Sequence, residues 1–183
     1  MRFRIILIAL LAGLLMWSMD INKQTNELLD EAQEVISKQS KTIAEQQYQI
    51  SDLSNKLEQS LTEQKVLKAQ NIELLARLIN AEAGSDWCEF EMKRLVGVVA
   101  LNRMKNDGFP NTLEEVIYDD GQYACVTDGN INKEPSYECY RIAEDLLEHG
   151  YSDPESVIYQ AEFPQGSEIY KVIQNMYFCK GEE

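Results

Sequence analysis

"LLARLINAEAG", residues 74–84, is a helical run that ends on a glycine and carries one carboxylate, Glu82, among leucine, isoleucine and alanine. On a helix, residues three and four apart share a face. Glu82 follows Leu78 by four and Ile79 by three, so it extends the apolar face instead of opposing it. A surface glutamate needs no such neighbours. A carboxyl group held on that face loses hydration, and desolvation raises its pKa. It then keeps a proton near neutral pH, as the acid of a glycosidase must. The competing reading is a helix-end glutamate that swings out to water.

The 183 residues hold 17 Lys and Arg against 31 Asp and Glu, a formal net charge of −14. Phosphate binding is built on clustered basic side chains, so nucleic acid is not an expected partner. Arg2 and Arg4 precede an uncharged run at residues 5–19. Positive charge before an apolar run holds the start in the cytoplasm and sends the remainder outward. The run is short beside the roughly 20 residues of a usual span. A cleaved signal peptide therefore competes with a retained membrane anchor over residues 1–20. "MWSMD" is bulky where cleavage needs small residues, which favours the anchor. On either reading, the rest of the chain lies outside the cytoplasm.

Residues 21–73 contain neither glycine nor proline and are rich in Gln, Glu, Lys, Asn and Ser. Leu29, Ile36, Ile43, Ile50 and Leu57 recur every seven residues, the a-position pattern of a coiled coil. The companion positions mix Ala32, Leu53 and Leu67 with Gln39, Gln46 and Ser60. The pattern predicts a helical stalk, either a single solvated helix or a loose parallel homodimer.

Residues 74–183 gather most of the aromatic residues and the turn punctuation, and read as a compact α+β domain, mostly helical. One helix spans 74–83. A second, 89–106, is apolar almost all round, as a central buried helix is. Thr112 and Glu115 have capping-box spacing and open a short helix to Tyr118. Ser136 caps another through Glu148. Residues 157–163 read as a strand and "IYKVIQ" as a last short helix, giving little sheet.

The one histidine, His149, falls at a helix C-terminus, where interaction with terminal carbonyls is expected. Zinc peptidases and amidases use two or three histidines, which argues against that chemistry. No metal or cofactor is expected. Cys88, Cys125, Cys139 and Cys179 form no C-x-x-C pair. Outside the cytoplasm, disulfides are the expectation, with at least one through Cys179 to pin the chain end.

"LLARLINAEAG" followed by "LVGVVALNRMKNDGFPNTLEEVIYDDGQY" resembles the cell-wall hydrolase family typified by spore-cortex-lytic enzymes, the SleB type. A-E-A, V-V-x-L-N-R, F-P-x-T and G-Q-Y come in family order over residues 74–179. The resemblance implies a lysozyme-like fold acting on peptidoglycan as a muramidase or lytic transglycosylase. It puts Glu82 on the catalytic glutamate and Gln122 and Tyr123 on the wall of the glycan cleft. Tyr159 and Gln160 fall in a late segment that returns to the cleft, and Asn102 and Arg103 on a helix where a structural role comes first. Ser85-Asp86 stands where many members have Gly-Glu, and Met176 where a histidine is common.

A hydrolase that inverts or retains uses two carboxylates. A lytic transglycosylase needs one, which protonates the leaving oxygen and then deprotonates the sugar's own 6-hydroxyl. Asp86, Glu89 and Glu91 are the nearby candidates for a second carboxylate. Two other readings stay open: a membrane-anchored scaffold with a degenerate glycan-binding domain, and an N-acetylmuramoyl-L-alanine amidase.

Overall fold

The computed structural model describes the backbone of residues 2–182 and the side chains of residues 6–182. The side chains of Arg2 and Arg4, expected to orient the N-terminus, lie outside the described residues. The chain divides into two compact units, residues 1–60 and 61–183.

The described residues of the first unit are all helical, as the N-terminal part of α1 (Arg2–Ala83). From Ile6 the helix is long and apolar enough, by length and composition, to cross a membrane. Leu29, Ile36, Ile43, Ile50 and Leu57 are all exposed. In an isolated helix that apolar row has nothing to bury it.

In the second unit, the end of α1 packs with α2 (Phe90–Lys105), α3 (Leu113–Tyr118), α4 (Ala124–Thr127), a 3₁₀ turn at Asn130–Asn132, and α5 (Tyr137–His149). Three antiparallel strands, β1 (Val157–Ala161), β2 (Glu168–Ile173) and β3 (Met176–Lys180), complete it in sheet order β1-β3-β2. The segment 74–83 is therefore the end of one continuous helix, not a helix of its own. Its buried residues Leu75, Leu78, Ile79 and Ala83 join Leu95, Val96, Val98 and Val99 of α2 and Ile142 and Leu146 of α5 in one core. Gly97 makes that approach close: a Cβ there would lie 2.6 Å from Leu146 Cδ1 and 3.1 Å from Ile79 Cδ1. α2 is the central helix, buried on nearly every side.

Capping agrees with the sequence. The Thr112 hydroxyl accepts from the Glu115 N–H at 3.3 Å and donates to the Glu115 carboxylate at 2.6 Å. Ser136 Oγ accepts from the Cys139 N–H at 3.2 Å. His149 differs from expectation: its Nδ1 lies 3.1 Å from Asp145 Oδ1, an exposed i,i+4 pair.

Two further expectations are corrected. Residues 169–173 of "IYKVIQ" lie in strand β2. Its β-branched and aromatic residues pair with β3 across a two-residue turn at Gln174-Asn175, where Gln174 takes a positive φ of 54°, as short hairpins require. All four cysteines are free and buried, so the expected disulfides are absent. Cys179 lies in the central strand β3, opposite Tyr159 and Ile169. Strand pairing on both sides, not a covalent bond, pins the chain end.

Polar side chains join sheet to helices. Asn102 Nδ2 donates to Pro154 O at 3.0 Å and Val157 O at 2.9 Å, while its Oδ1 accepts from the Tyr151 hydroxyl at 2.8 Å. Arg94 is held between Glu91 and Asp153. Asp153 also accepts from Tyr170 at 3.0 Å, and Glu91 pairs with Lys171 at 2.8 Å. These contacts fix the start of β1 and the middle of β2 against α2.

Candidate active site

Glu82 is the penultimate residue of α1. The last helical hydrogen bond runs from the Gly84 N–H to Asn80 O at 2.9 Å, after which the chain leaves the helix. Burial of Leu78, Ile79 and Ala83 in the core fixes the last turn, so Glu82 has little freedom to swing outward. It is partly buried, whereas Asp86 and Glu89 on the succeeding loop are exposed.

Burial raises the Glu82 carboxyl above its ordinary value of 4.5. Four side chains modulate it. The Cys125 thiol and the Gln160 amide hydrogen-bond to the carboxyl and lower its pKa, Asp128 raises it by like charge, and Arg103 lowers it by opposite charge. They arrive from separate elements: Cys125 from α4, Asp128 from its C-cap, Arg103 from α2 and Gln160 from β1. Burial, and then the contact with Glu82, pushes the Cys125 thiol up to about 12. It stays an S–H donor.

Tyr123 is the N-cap of α4 and is almost fully buried. Burial pushes its phenol up to about 12, against the pull of Arg103. The Arg103 guanidinium lies between two rings, 5.0 Å from the Tyr123 centroid and 5.2 Å from that of Phe109. Its Nε donates to Ile158 O at 2.8 Å. Arg103 Nη1, Tyr123 Oη and Gln160 Oε1 are buried without a hydrogen-bond partner among the described residues. Each such orphan costs about 1–3 kcal/mol; Arg103 and Gln160 act on Glu82, and Glu82 in turn acts on Tyr123.

The residues expected on sequence grounds divide. Tyr123 and Gln160 come to Glu82. Tyr159 does not share the face of Gln160, since successive strand residues point to opposite sides. Its ring lies over Gly166, where a Cβ would stand 2.8 Å from Tyr159 Cδ2 and φ is 68°. Gln122 is partly buried in the turn before α4, with its N–H on Asp119 O at 3.2 Å, and is not among the groups acting on Glu82. Glu91 is lowered to about 2, first by its hydrogen bonds with Arg94 and then, against burial, by Lys171. It is held as an ion-pair member.

Sequence reasoning missed Cys125, Asp128 and the nearness of Arg103. Their separation from Glu82 along the chain hides the contacts, and only the position of Cys125 just after G-Q-Y hints at one. A groove of about 910 Å³ opens on the α2–α3 flank, lined in part by Phe109, Asn111, Glu114 and Tyr118. Glu82 does not line it. Phe109 is its link to Arg103, through the stacked ring.

Chemically, burial favours the protonated form of the Glu82 carboxyl group, while an S–H, an amide and a cation favour its anion. Such a group can give a proton and take one back.

A family model described as Cell Wall Hydrolase matches residues 89–179, beginning seven residues after Glu82. The crystal structure of the catalytic domain of the Bacillus cereus SleB protein superposes with a TM-score of 0.52 at 24% identity, covering 60% of this chain and 89% of that one. The catalytic domain of the germination-specific lytic transglycosylase SleB from Bacillus anthracis gives 0.51 at 23% identity, over 60% and 93%. No curated protein sequence matches the chain. Residues 89–179 belong to the cell wall hydrolase family, and the chain carries a cell wall hydrolase domain with the fold of the SleB catalytic domains.

Proposed function

We propose that the domain cleaves the glycan strands of peptidoglycan as a lytic transglycosylase, with Glu82 as general acid and then general base. The observation that carries this reading is the Glu82 carboxyl group itself: desolvated, raised in pKa, and faced by Cys125, Gln160 and Arg103. A raised carboxyl is the proton source that glycosidic cleavage needs. Glu82 protonates the leaving oxygen as the bond to the anomeric carbon breaks. The carboxylate then removes the proton from the same sugar's 6-hydroxyl, whose oxygen closes a 1,6-anhydro ring. The proton is returned and no water is consumed.

Hydrolysis would need a second carboxylate free to activate water. Glu91 is engaged by Arg94 and Lys171, and Asp86 and Glu89 face solvent. Asp128 is the acidic residue that Glu82 feels, but its oxygens accept from the Asn130 N–H and side-chain amide, both at 2.8 Å. These engagements favour transglycosylation over a muramidase. Tyr123 and Gln160 are proposed to line the substrate site beside Glu82, with Gln122 and Tyr159 farther along the glycan. The apolar start of α1 is proposed as the anchor or signal that puts the domain on the wall side of the membrane.

Digestion of purified sacculi by the full-length protein, with mass analysis of the products, tests this. Muropeptides ending in 1,6-anhydromuramic acid support transglycosylation, and reducing ends would mean hydrolysis. Freed stem peptides with intact glycan would mean an amidase. No cleavage across several peptidoglycans would leave the scaffold reading.

A further inference from the structure

Arg103 is nearly fully buried, and arginine side chains stay protonated in proteins. Taking such a charge out of water is expensive unless it is paired. The other partly buried arginine of α2, Arg94, is paired twice, with Glu91 and with Asp153. Arg103 makes no ion pair among the described residues. Its Nε meets the Ile158 carbonyl, two aromatic rings cover its faces, and Nη1 has no partner. Holding β1 to α2 through Ile158 O needs only a neutral donor. The charge is thus left without an anionic partner, and Nη1 without an acceptor, among the described residues.

We infer that Arg103 is a positioning residue of this site: the buried counter-cation that stabilises the negative charge left on Glu82 when its proton leaves. The inference rests on the reading of Glu82 as the acid. When the proton passes to the glycosidic oxygen, a desolvated anion is left behind. With Arg103 present it forms in the field of a fixed cation, and removal of the 6-hydroxyl proton discharges it again. The aromatic cover of Phe109 and Tyr123 keeps the cation dry and hence strongly felt. The other groups facing Glu82 do not substitute for it. Asp128 carries the same sign as the new anion, Tyr123 and Cys125 are neutral, and Gln160 supplies only a dipole.

The test uses the full-length protein in detergent micelles, in wild type, Arg103→Met and Arg103→Lys. Glu82 is followed by ¹³C carboxyl NMR, assigned by the signal lost in Glu82→Gln. That readout is independent of whether the chain cleaves glycan, and cleavage of sacculi against pH is measured separately. In Arg103→Met, the Glu82 titration and the alkaline fall of kcat/KM are expected to move together to higher pH. kcat should drop on the order of 10²-fold, as when one preorganised electrostatic stabiliser is removed. Arg103→Lys should titrate near wild type and recover part of the rate. A merely structural role would lower the rate with both midpoints unmoved. Where Arg103→Met fails to fold, Arg103→Gln keeps an N–H for the Ile158 carbonyl and gives the same comparison. A Glu82 midpoint unchanged in the folded neutral variant, or moved as far by Lys as by Met, overturns the inference. Full activity of Glu82→Gln would overturn the catalytic reading, and the inference with it.

Discussion

Asn102 offers a quantitative check on how the site is held. Its fully buried side chain donates to Pro154 O and Val157 O and accepts from the Tyr151 hydroxyl. The first two contacts fix the start of β1, the strand that carries Gln160 to Glu82. Each hydrogen bond is worth about 1 kcal/mol net, and Asn102→Ala forfeits all three, so the domain should lose about 3 kcal/mol. For a domain of this size that lowers Tm by roughly 10–15 °C. Near-ultraviolet circular dichroism is the suitable monitor, because it reads packed aromatic rings and not the long helix α1. Asn102→Asp sharpens the test. Its carboxylate would face two carbonyl oxygens, which raises the folded pKa above the unfolded value of about 3.9. A raised folded pKa means stability present at low pH and lost as pH rises through that value. Asn102→Asp should therefore be worst near neutral pH and recover below about pH 4. A cost under about 1 kcal/mol for the alanine variant, or a pH-independent defect for the aspartate, would refute this reasoning.

Other outcomes rest on neighbouring contacts. The raised Glu82 pKa means that the folded state binds its proton more tightly than the unfolded state, so its stability declines as pH rises above the unfolded value. Glu82→Gln should accordingly raise Tm at neutral pH and leave it unchanged below about pH 4, by differential scanning calorimetry; equal Tm values at both would contradict the desolvation. All four thiols are free and buried. Ellman titration without reductant should find them unreactive in the native protein and count all of them after denaturation, and a shortfall would mean a disulfide. The exposed row Leu29, Ile36, Ile43, Ile50 and Leu57 is proposed to pair in a parallel homodimer. A peptide of residues 21–75 that sediments as a monomer at high micromolar concentration would rule that out.

Much of the domain is legible in the sequence because local rules and burial agree. Leu95 to Leu101 leave α2 no polar face, and both caps, Thr112 and Ser136, announce themselves. Glu82 stands out because a carboxylate on an apolar face conflicts with the pattern around it. β2 reads wrongly because Ile169, Tyr170, Val172 and Ile173 suit either a short helix or a strand. The choice depends on a hairpin turn built on Gln174, which lacks the usual Asn-Gly signature. The cysteines mislead because compartment and even count favour bridges, while the fold pins the chain end through β3. The neighbours of Glu82 stay hidden for a different reason. Cys125, Asp128 and Arg103 meet it only through the packing of α4 and α2, and no spacing rule reaches that far.

The most direct test is cleavage of purified sacculi by wild-type protein and Glu82→Gln, side by side with a pelleting assay for binding. Glutamine keeps the shape and hydrogen-bonding reach of the side chain but has no acidic proton to give. If Glu82 is the acid and then the base, cleavage falls by at least the roughly 10²–10⁴-fold that general acid–base catalysis supplies, while Glu82→Gln still pellets with the sacculi. Cleavage by Glu82→Gln at the wild-type rate would contradict it.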